Sequence, residues 1–170
     1  QYVAPRLVDS VCLLDYPNDM LEVQVLDDST DETTEIMTAK VEEWRRKGKN
    51  IVFLHRNNRD GVKAGALNEG LKCSAGEFIF VLDADEHLDG GDFAAFRRLL
   101  DAPRDRGYRF TTRNYTPSAH LSGFVPVAAD AVEARGFPGW FPSEKVRLFP
   151  RHPKIRFEHR VHEVPTASLL

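Results

Sequence analysis

Three carboxylates close the segment Phe78 to Glu86, F-I-F-V-L-D-A-D-E. Its apolar residues run without interruption into Asp83, Asp85 and Glu86. Such a run reads as a strand buried on both faces, its C-terminal end opening onto a polar cleft. In open α/β sheets, ligands gather at the carboxyl ends of strands. Asp83 and Asp85 stand two apart, so an extended backbone puts both on one face and turns Ala84 away. Two hard oxygen donors side by side suit Mg²⁺ or Mn²⁺ carried on a phosphate, rather than an all-protein cage. The plainer alternative is that the acids merely end a strand.

A second acid pair, Asp27-Asp28, closes the alternating run Leu21 to Leu26. Strand ends of a parallel sheet share one edge, so both pairs can line one cleft. One pair can accept hydrogen bonds from a base or ribose while the other holds a divalent cation on a diphosphate. Lys63 stands at the mouth of an expected helix, within reach of a phosphate. A solvated lysine is the alternative there. The set suits a nucleotide-diphosphate donor whose leaving group a metal stabilises as a Lewis acid. It suits a paired-carboxylate hydrolase less well, because a hydrolase needs no base-binding acid pair.

The elements that must position these residues follow from periodicity. Gln1 to Asp15 reads as a helix, with Leu7, Val8, Val11 and Leu14 at helical spacing. After the strand Leu21 to Leu26, Ser29 and Glu32 have the pattern of a capping box. A helix follows to Lys47, with Ile36, Met37, Val41 and Trp44 inward and Gly48 as its stop. Ile51 to Leu54 is a short buried strand. A loop from His55 to Gly61 leads to a helix that opens at Lys63 and ends near Ser74. Small residues at 64–66 let that helix pack close to the sheet. Asp89 to Asp92 turns into a helix from Phe93 to Asp101. Alternation with short connections argues a parallel, doubly covered sheet. Beyond Asp101 the pattern changes. Tyr108 to Arg113, Glu144 to Phe149 and Lys154 to Phe157 read as strands. Between them Asn114 to Gly139 is loop-rich, with a short helix at Ala128 to Arg135. These strands read as a mixed or antiparallel extension, with no linker that sets off a separate domain.

Composition narrows the class. The chain has 170 residues, 42% hydrophobic and 29% charged, ordinary values for one globular domain with a real core. A net charge of −3 gives no sign of bulk nucleic-acid binding. Cys12 and Cys73 form no spaced motif, so free thiols in a reducing compartment are the default, with a disulfide left open. No apolar run approaches the length of a membrane span, and the N-terminus shows no signal peptide.

Three blocks, V-L-D-D-S-T-D-E-T, K-A-G-A-L-N and F-V-L-D-A-D-E, in this order and spacing resemble the signature of glycosyltransferase family 2, inverting enzymes of the GT-A fold. The N-terminal half looks most like cellulose-synthase-like and glucomannan-synthase-like members. The C-terminal blocks R-N-Y-T, W-F-P-S-E-K-V-R-L-F-P and I-R-F-E-H-R-V-H-E resemble bacterial cell-envelope members. The resemblance covers most of residues 3–164.

It implies a single α/β GT-A domain over residues 1–170. Residues 1–105 would form the nucleotide-sugar half and 106–170 the acceptor half. The implied reaction passes a sugar from a UDP- or GDP-sugar to a glycan, lipid or protein acceptor, with Mn²⁺ or Mg²⁺ as cofactor. Asp27 and Asp28 would contact base and ribose. Lys63 would lie near the base or phosphates, Asp83 at the donor sugar or ribose, and Asp85 would hold the metal. The short Glu-Asp motif that supplies the base in many members is missing. Glu163 in V-H-E is the substitute, with Glu144 second, and His162 is a metal ligand or phosphate contact. A strand-end pair without chemistry is the alternative for His162 and Glu163. His55, His87, His120, His152 and His159 read as ordinary loop or surface histidines. Trp140 and Phe141 either stack on an acceptor sugar or pack in the core.

Two departures stand out. The family's first strand, with its P-x-Y-N-E loop, is expected before Gln1, and the membrane helices of the synthase-like branch are absent. A truncated chain with weakened or no activity is therefore one expectation, cytoplasmic and associated with a membrane only through other segments. The rival readings are a nucleotidyltransferase that makes the sugar nucleotide and a non-catalytic nucleotide-sugar-binding chain.

Overall fold

The computed structural model describes residues 3–88, 90–101, 105–128, 130–158 and 164–165. It divides into two compact units, Gln1–Gly107 with Leu148–Leu170, and Tyr108–Arg147.

The first unit begins with α1 (Val3–Cys12), β1 (Val23–Asp27), α2 (Thr33–Arg46) and β2 (Ile51–His55). Val8 and Cys12 of α1 meet Met37, Val41 and Trp44 of α2 and Ile51 of β2 in one apolar cluster. Positions 37, 41 and 44 form a single helical stripe. Ile36, expected on that stripe, points about 100° away from Met37 and is exposed. The Trp44 indole N–H donates to Asp9 at 2.8 Å, and Lys40 reaches the same carboxylate at 3.1 Å. A buried tryptophan thereby satisfies its polar edge. Gly48 ends α2 at φ +83°, its N–H donating to the Arg45 carbonyl, as the sequence leads one to expect.

The start of α2 differs from expectation, because no capping box forms. Glu32 occupies the N-cap without a side-chain cap. The Ser29 hydroxyl donates to Asp27 instead, and Asp31 accepts the Thr33 N–H at 2.9 Å. A carboxylate two residues back outcompetes a helix amide as partner for the serine.

β1 and β2 pair in parallel, in register from Val23↔Ile51 to Asp27↔His55. α3 (Val62–Cys73) packs on β1. Gly70 makes that approach close, since a Cβ there would stand 3.1 Å from the Leu26 side chain. α3 is also tied to the strand β7 (Phe157–Glu158). The Asn68 amide donates to the Phe157 carbonyl at 2.9 Å and accepts its N–H at 2.8 Å.

β3 covers only Phe78–Phe80 and is half-buried, shorter than the strand expected through Glu86. Its described partner is antiparallel: Phe78 to Phe80 face Pro150 to Leu148 of β6 (Gly139–Pro150). The chain then turns at Ala84-Asp85, where the Glu86 N–H donates to the Asp83 carbonyl at 2.9 Å. Aspartate disfavours strand, and the turn gives the Asp83 N–H a carboxylate partner in Glu86 at 3.1 Å. α4 (Phe93–Leu100) follows, and Phe96 meets Phe80 edge-on at 5.0 Å. Farther on, Phe157 of β7 packs edge-on against Phe149. β7 pairs with β8 (Val164–Pro165), and Lys154 to Arg156, expected as strand, form a turn and coil.

The second unit holds β4 (Tyr108–Thr116), β5 (Val125–Pro126) and β6 as far as Arg147. β6 is hydrogen-bonded to β4, and β5 pairs with it antiparallel. β6 starts at Gly139, earlier than the expected Glu144, because Trp140 and Phe141 suit a strand. The helix expected at Ala128 to Arg135 contracts to a 3₁₀ turn, Val132–Ala134. Arg135 and Gly136 close it at φ +48° and +85°. Both cysteines are free, Cys12 buried and Cys73 exposed. Among the described residues no helix is long and apolar enough to cross a membrane.

Candidate functional site

Asp27 is the last residue of β1, and its carboxylate is filled by the protein itself. One oxygen accepts from the Ser29 hydroxyl and N–H, the other from Thr34 Oγ1 and from His55 Nδ1, each at 2.9 Å. A carboxylate offers about four acceptor positions, so Asp27 has none left. It is 8% exposed. Burial raises its pKa, but the hydrogen bonds from Ser29, His55 and Thr34 outweigh that and hold it below the ordinary 3.8. His55, expected to be an ordinary loop residue, is thus a bracing partner. The parallel register puts it directly beside Asp27.

Asp28 is held differently. Arg56 grips it through Nε at 2.7 Å and through Nη2, a bidentate fork. That bond raises the guanidinium pKa further. Each Asp28 oxygen keeps a second acceptor position. Arg56 also donates to the carbonyls of Asp60 at 3.0 Å and Val62 at 2.9 Å. Lys63 follows Val62 directly and forms an ion pair with Asp83. A chain of contacts therefore runs from Asp28 through Arg56 and Val62 to Lys63 and Asp83, and it links one acid of each pair.

Asp85 is exposed at the tip of the turn after β3. It does not share an extended face with Asp83, because the backbone turns between them. Among the described residues no group of three His, Cys, Asp or Glu side chains is placed to hold a metal. As a single exposed oxygen donor, Asp85 suits a hard divalent cation that takes the rest of its shell from water and phosphate oxygens.

Glu144 belongs to the second unit, exposed on β6, with Arg109 at 3.6 Å. His162 and Glu163 lie outside the described residues, as does His159. His87, His120 and His152 are exposed. Trp140 is half-buried with the Arg113 guanidinium 5.6 Å from its ring. Sequence reasoning missed His55, Arg56 and Asn68. Arg56 and His55 sit in the loop start already marked by its charges, but their role needs the β1–β2 register. Asn68 ends the K-A-G-A-L-N block, and its role is to clamp β7.

Braced acids at the end of β1, Lys63 at the start of α3 and an acidic turn after β3 are set on an α/β scaffold. Residues 3–123 match the family described as glycosyl transferase family 2, and the chain belongs to that family. A glucomannan 4-beta-mannosyltransferase of Oryza sativa subsp. japonica is 46% identical over 86 residues, 48% of this chain and 16% of that protein. One from Arabidopsis thaliana is 46% identical over 82 residues, 46% of this chain and 15% of that protein. Among solved structures, a mannosyltransferase from Pyrobaculum calidifontis in complex with GDP-Man and Mn²⁺ aligns with TM-score 0.51 and 26% identity. The alignment covers 78% of this chain and 34% of that one. S. aureus TarS, residues 1-349, aligns over 99% of this chain and 50% of its own with TM-score 0.57. At 18% identity the latter speaks for the fold alone. The fold is of the GT-A type, mixed α/β. The chain spans well under a fifth of the curated relatives' length.

Proposed function

We propose that this domain binds a nucleotide-sugar and transfers its sugar, with inversion, to a glycan, lipid or protein acceptor. The observation that supports the reading is the contact chain Asp28–Arg56–Val62 and Lys63–Asp83, which links a carboxylate with open acceptor positions to a lysine cation. The relatives that are mannosyltransferases, and the GDP-Man complex among them, favour GDP-mannose as donor.

Asp28 would accept from the base or ribose with its open positions, and Asp27, the residue before it, would brace the end of β1. Lys63 would place its charge toward the phosphates while Asp83 orients it and meets the donor sugar or ribose. Asp85, with His162, would hold Mn²⁺ or Mg²⁺. When bound, that cation supplies Lewis-acid stabilisation of the departing diphosphate. A carboxylate takes the acceptor hydroxyl's proton as the oxygen attacks the anomeric carbon. Glu163 is proposed for that role, then Glu144. We read the domain as cytoplasmic, reaching a membrane only through other segments or partners. The site and acceptor elements are taken as one domain over residues 1–170.

The test is a thermal-shift series with GDP-mannose and UDP-sugars, with and without Mn²⁺, followed by transfer of radiolabelled donor. A ligand held at about 100 times its Kd stabilises by about 2.7 kcal/mol, which a melting curve resolves. A metal-dependent shift with GDP-mannose supports the reading. A shift without transfer to any glycan leaves a binding module, and no shift with any nucleotide-sugar ends the proposal.

A further inference from the structure

Arg56 makes more contacts than pairing with Asp28 requires. Arginine has five N–H donors in a rigid fork. Here Nε and Nη2 take the two Asp28 oxygens, Nη2 also takes the Val62 carbonyl, and Nη1 takes the Asp60 carbonyl. The loop it grips is strained. Gly61 has φ +70° and Val62 has φ +52°. A left-handed glycine is ordinary, but a β-branched residue there is a genuine outlier that surrounding contacts must hold in place. Val62 is held by its carbonyl to Arg56 and by its N–H to the Arg59 carbonyl at 2.8 Å. Space is cut to match. A Cβ on Gly65 would lie 1.9 Å from the Asp60 carbonyl oxygen and 2.7 Å from Arg56 Nη1. The next residue after Val62 is Lys63, which pairs with Asp83.

We propose that Arg56 is the positioning residue of the donor site: while paired to Asp28 it holds the Asp60 and Val62 carbonyls, fixes the left-handed turn at Val62, and so sets Lys63 against Asp83. The bonds are charge-assisted and directional, and no lysine can reproduce them, because its ammonium is a point charge without the fork. Arg56 touches no reacting atom in this role. Its consequence for nucleotide binding rests on the function proposed above.

The test uses the full chain and three variants, Arg56→Lys, Val62→Gly and the double variant, with GDP and UDP plus Mn²⁺ as probes in calorimetry. Glycine adopts the Val62 backbone without strain, so it removes the need for the arginine's grip. Arg56→Lys is expected to weaken binding of the nucleotide that wild type takes about tenfold. Val62→Gly alone should bind like wild type, and the double variant should recover to within about twofold of it. In hydrogen exchange, the Val62 and Gly65 amides, bonded to Arg59 and Gly61, should lose protection in Arg56→Lys and regain it in the double variant. Wild-type affinity in Arg56→Lys, or a double variant no better than Arg56→Lys, overturns the proposal. Should wild type bind neither nucleotide, the functional reading fails. The amide protection still tests the grip of Arg56: unchanged protection in Arg56→Lys, or no regain in the double variant, overturns it independently.

Discussion

Asp27 and Asp28 are neighbours of one residue type with separate tasks. Asp27 commits its acceptor positions to Ser29, Thr34 and His55, tying the end of β1 to the start of α2 and the end of β2. Asp28 faces a single arginine and keeps capacity for a ligand. Asp27→Asn should therefore act mainly on stability. It exchanges a charged acceptor for an amide among four donors, a loss of about 1–3 kcal/mol. The pH dependence has a definite sign. Asp27's folded pKa lies below the ordinary 3.8, so its contribution is present above 3.8 and disappears as pH falls through the folded value. Urea midpoints measured from neutral pH downward should fall less steeply on the acid side for Asp27→Asn than for wild type. Equal acid slopes would rule out this role. Asp28→Asn should reverse the balance, weakening metal-dependent GDP binding by about tenfold or more with a smaller change in midpoint. Calorimetry beside the same urea curves separates the two residues. The sequence shows the pair but not the division, because that depends on which strand lies beside β1.

At the scale of elements, helix ends and loops carry the site more than the strands do. Two glycines make the point in opposite ways. Gly48 ends α2 at φ +83° with nothing within 4 Å of where a Cβ would stand, whereas Gly65 in α3 has an ordinary φ but no room. Gly48→Ala should cost about 1–2 kcal/mol, the penalty of a left-handed Cβ. Gly65→Ala should cost about 3 kcal/mol, because the obstacle is the Asp60 backbone and the helix or the loop must move. Urea unfolding of both variants checks the order, and a Gly65→Ala chain as stable as Gly48→Ala would show the loop to be compliant. Periodicity made the Met37–Val41–Trp44 stripe and the Gly48 stop legible, because both are local. β3 was only half legible. Phe78 to Phe80 are in the strand while Val81 and Leu82 lie beyond it, its described partner β6 lies far along the chain, and no periodicity reports that pairing. The acids after it turn away because a turn satisfies the Asp83 amide with Glu86. The capping box failed for a similar reason, since Ser29 had Asp27 within reach. Arg56 and His55 stood in view as loop residues, and only the Asp27↔His55 register reveals what they hold.

At the scale of the molecule, the first unit is assembled from both ends of the chain, with residues 148–170 completing what residues 1–107 begin. Asn68 clamping β7, and β3 pairing with the end of β6, are the links that close it. Its integrity can be read from one thiol. Cys12 is 0% exposed between α1 and α2, in the cluster with Val8, Met37, Val41 and Trp44. Burial is the main cause that pushes its pKa from 9.0 up to about 11. The thiolate is the reactive form, so the folded state protects Cys12 twice, by access and by charge. The linkage follows: with a raised folded pKa, stability is full below 9.0 and declines as pH rises toward about 11. Cys73 is exposed at the end of α3. With a disulfide-exchange reagent at about pH 8, Cys73 should react at once and Cys12 only as fast as the unit opens. Trp44→Phe, which drops the bond to Asp9, should quicken the slow phase. GDP with Mn²⁺ should slow it if the nucleotide binds this unit, because a ligand of the folded state lowers the open population. Two thiols reacting at one rate would show that α1 does not close the core.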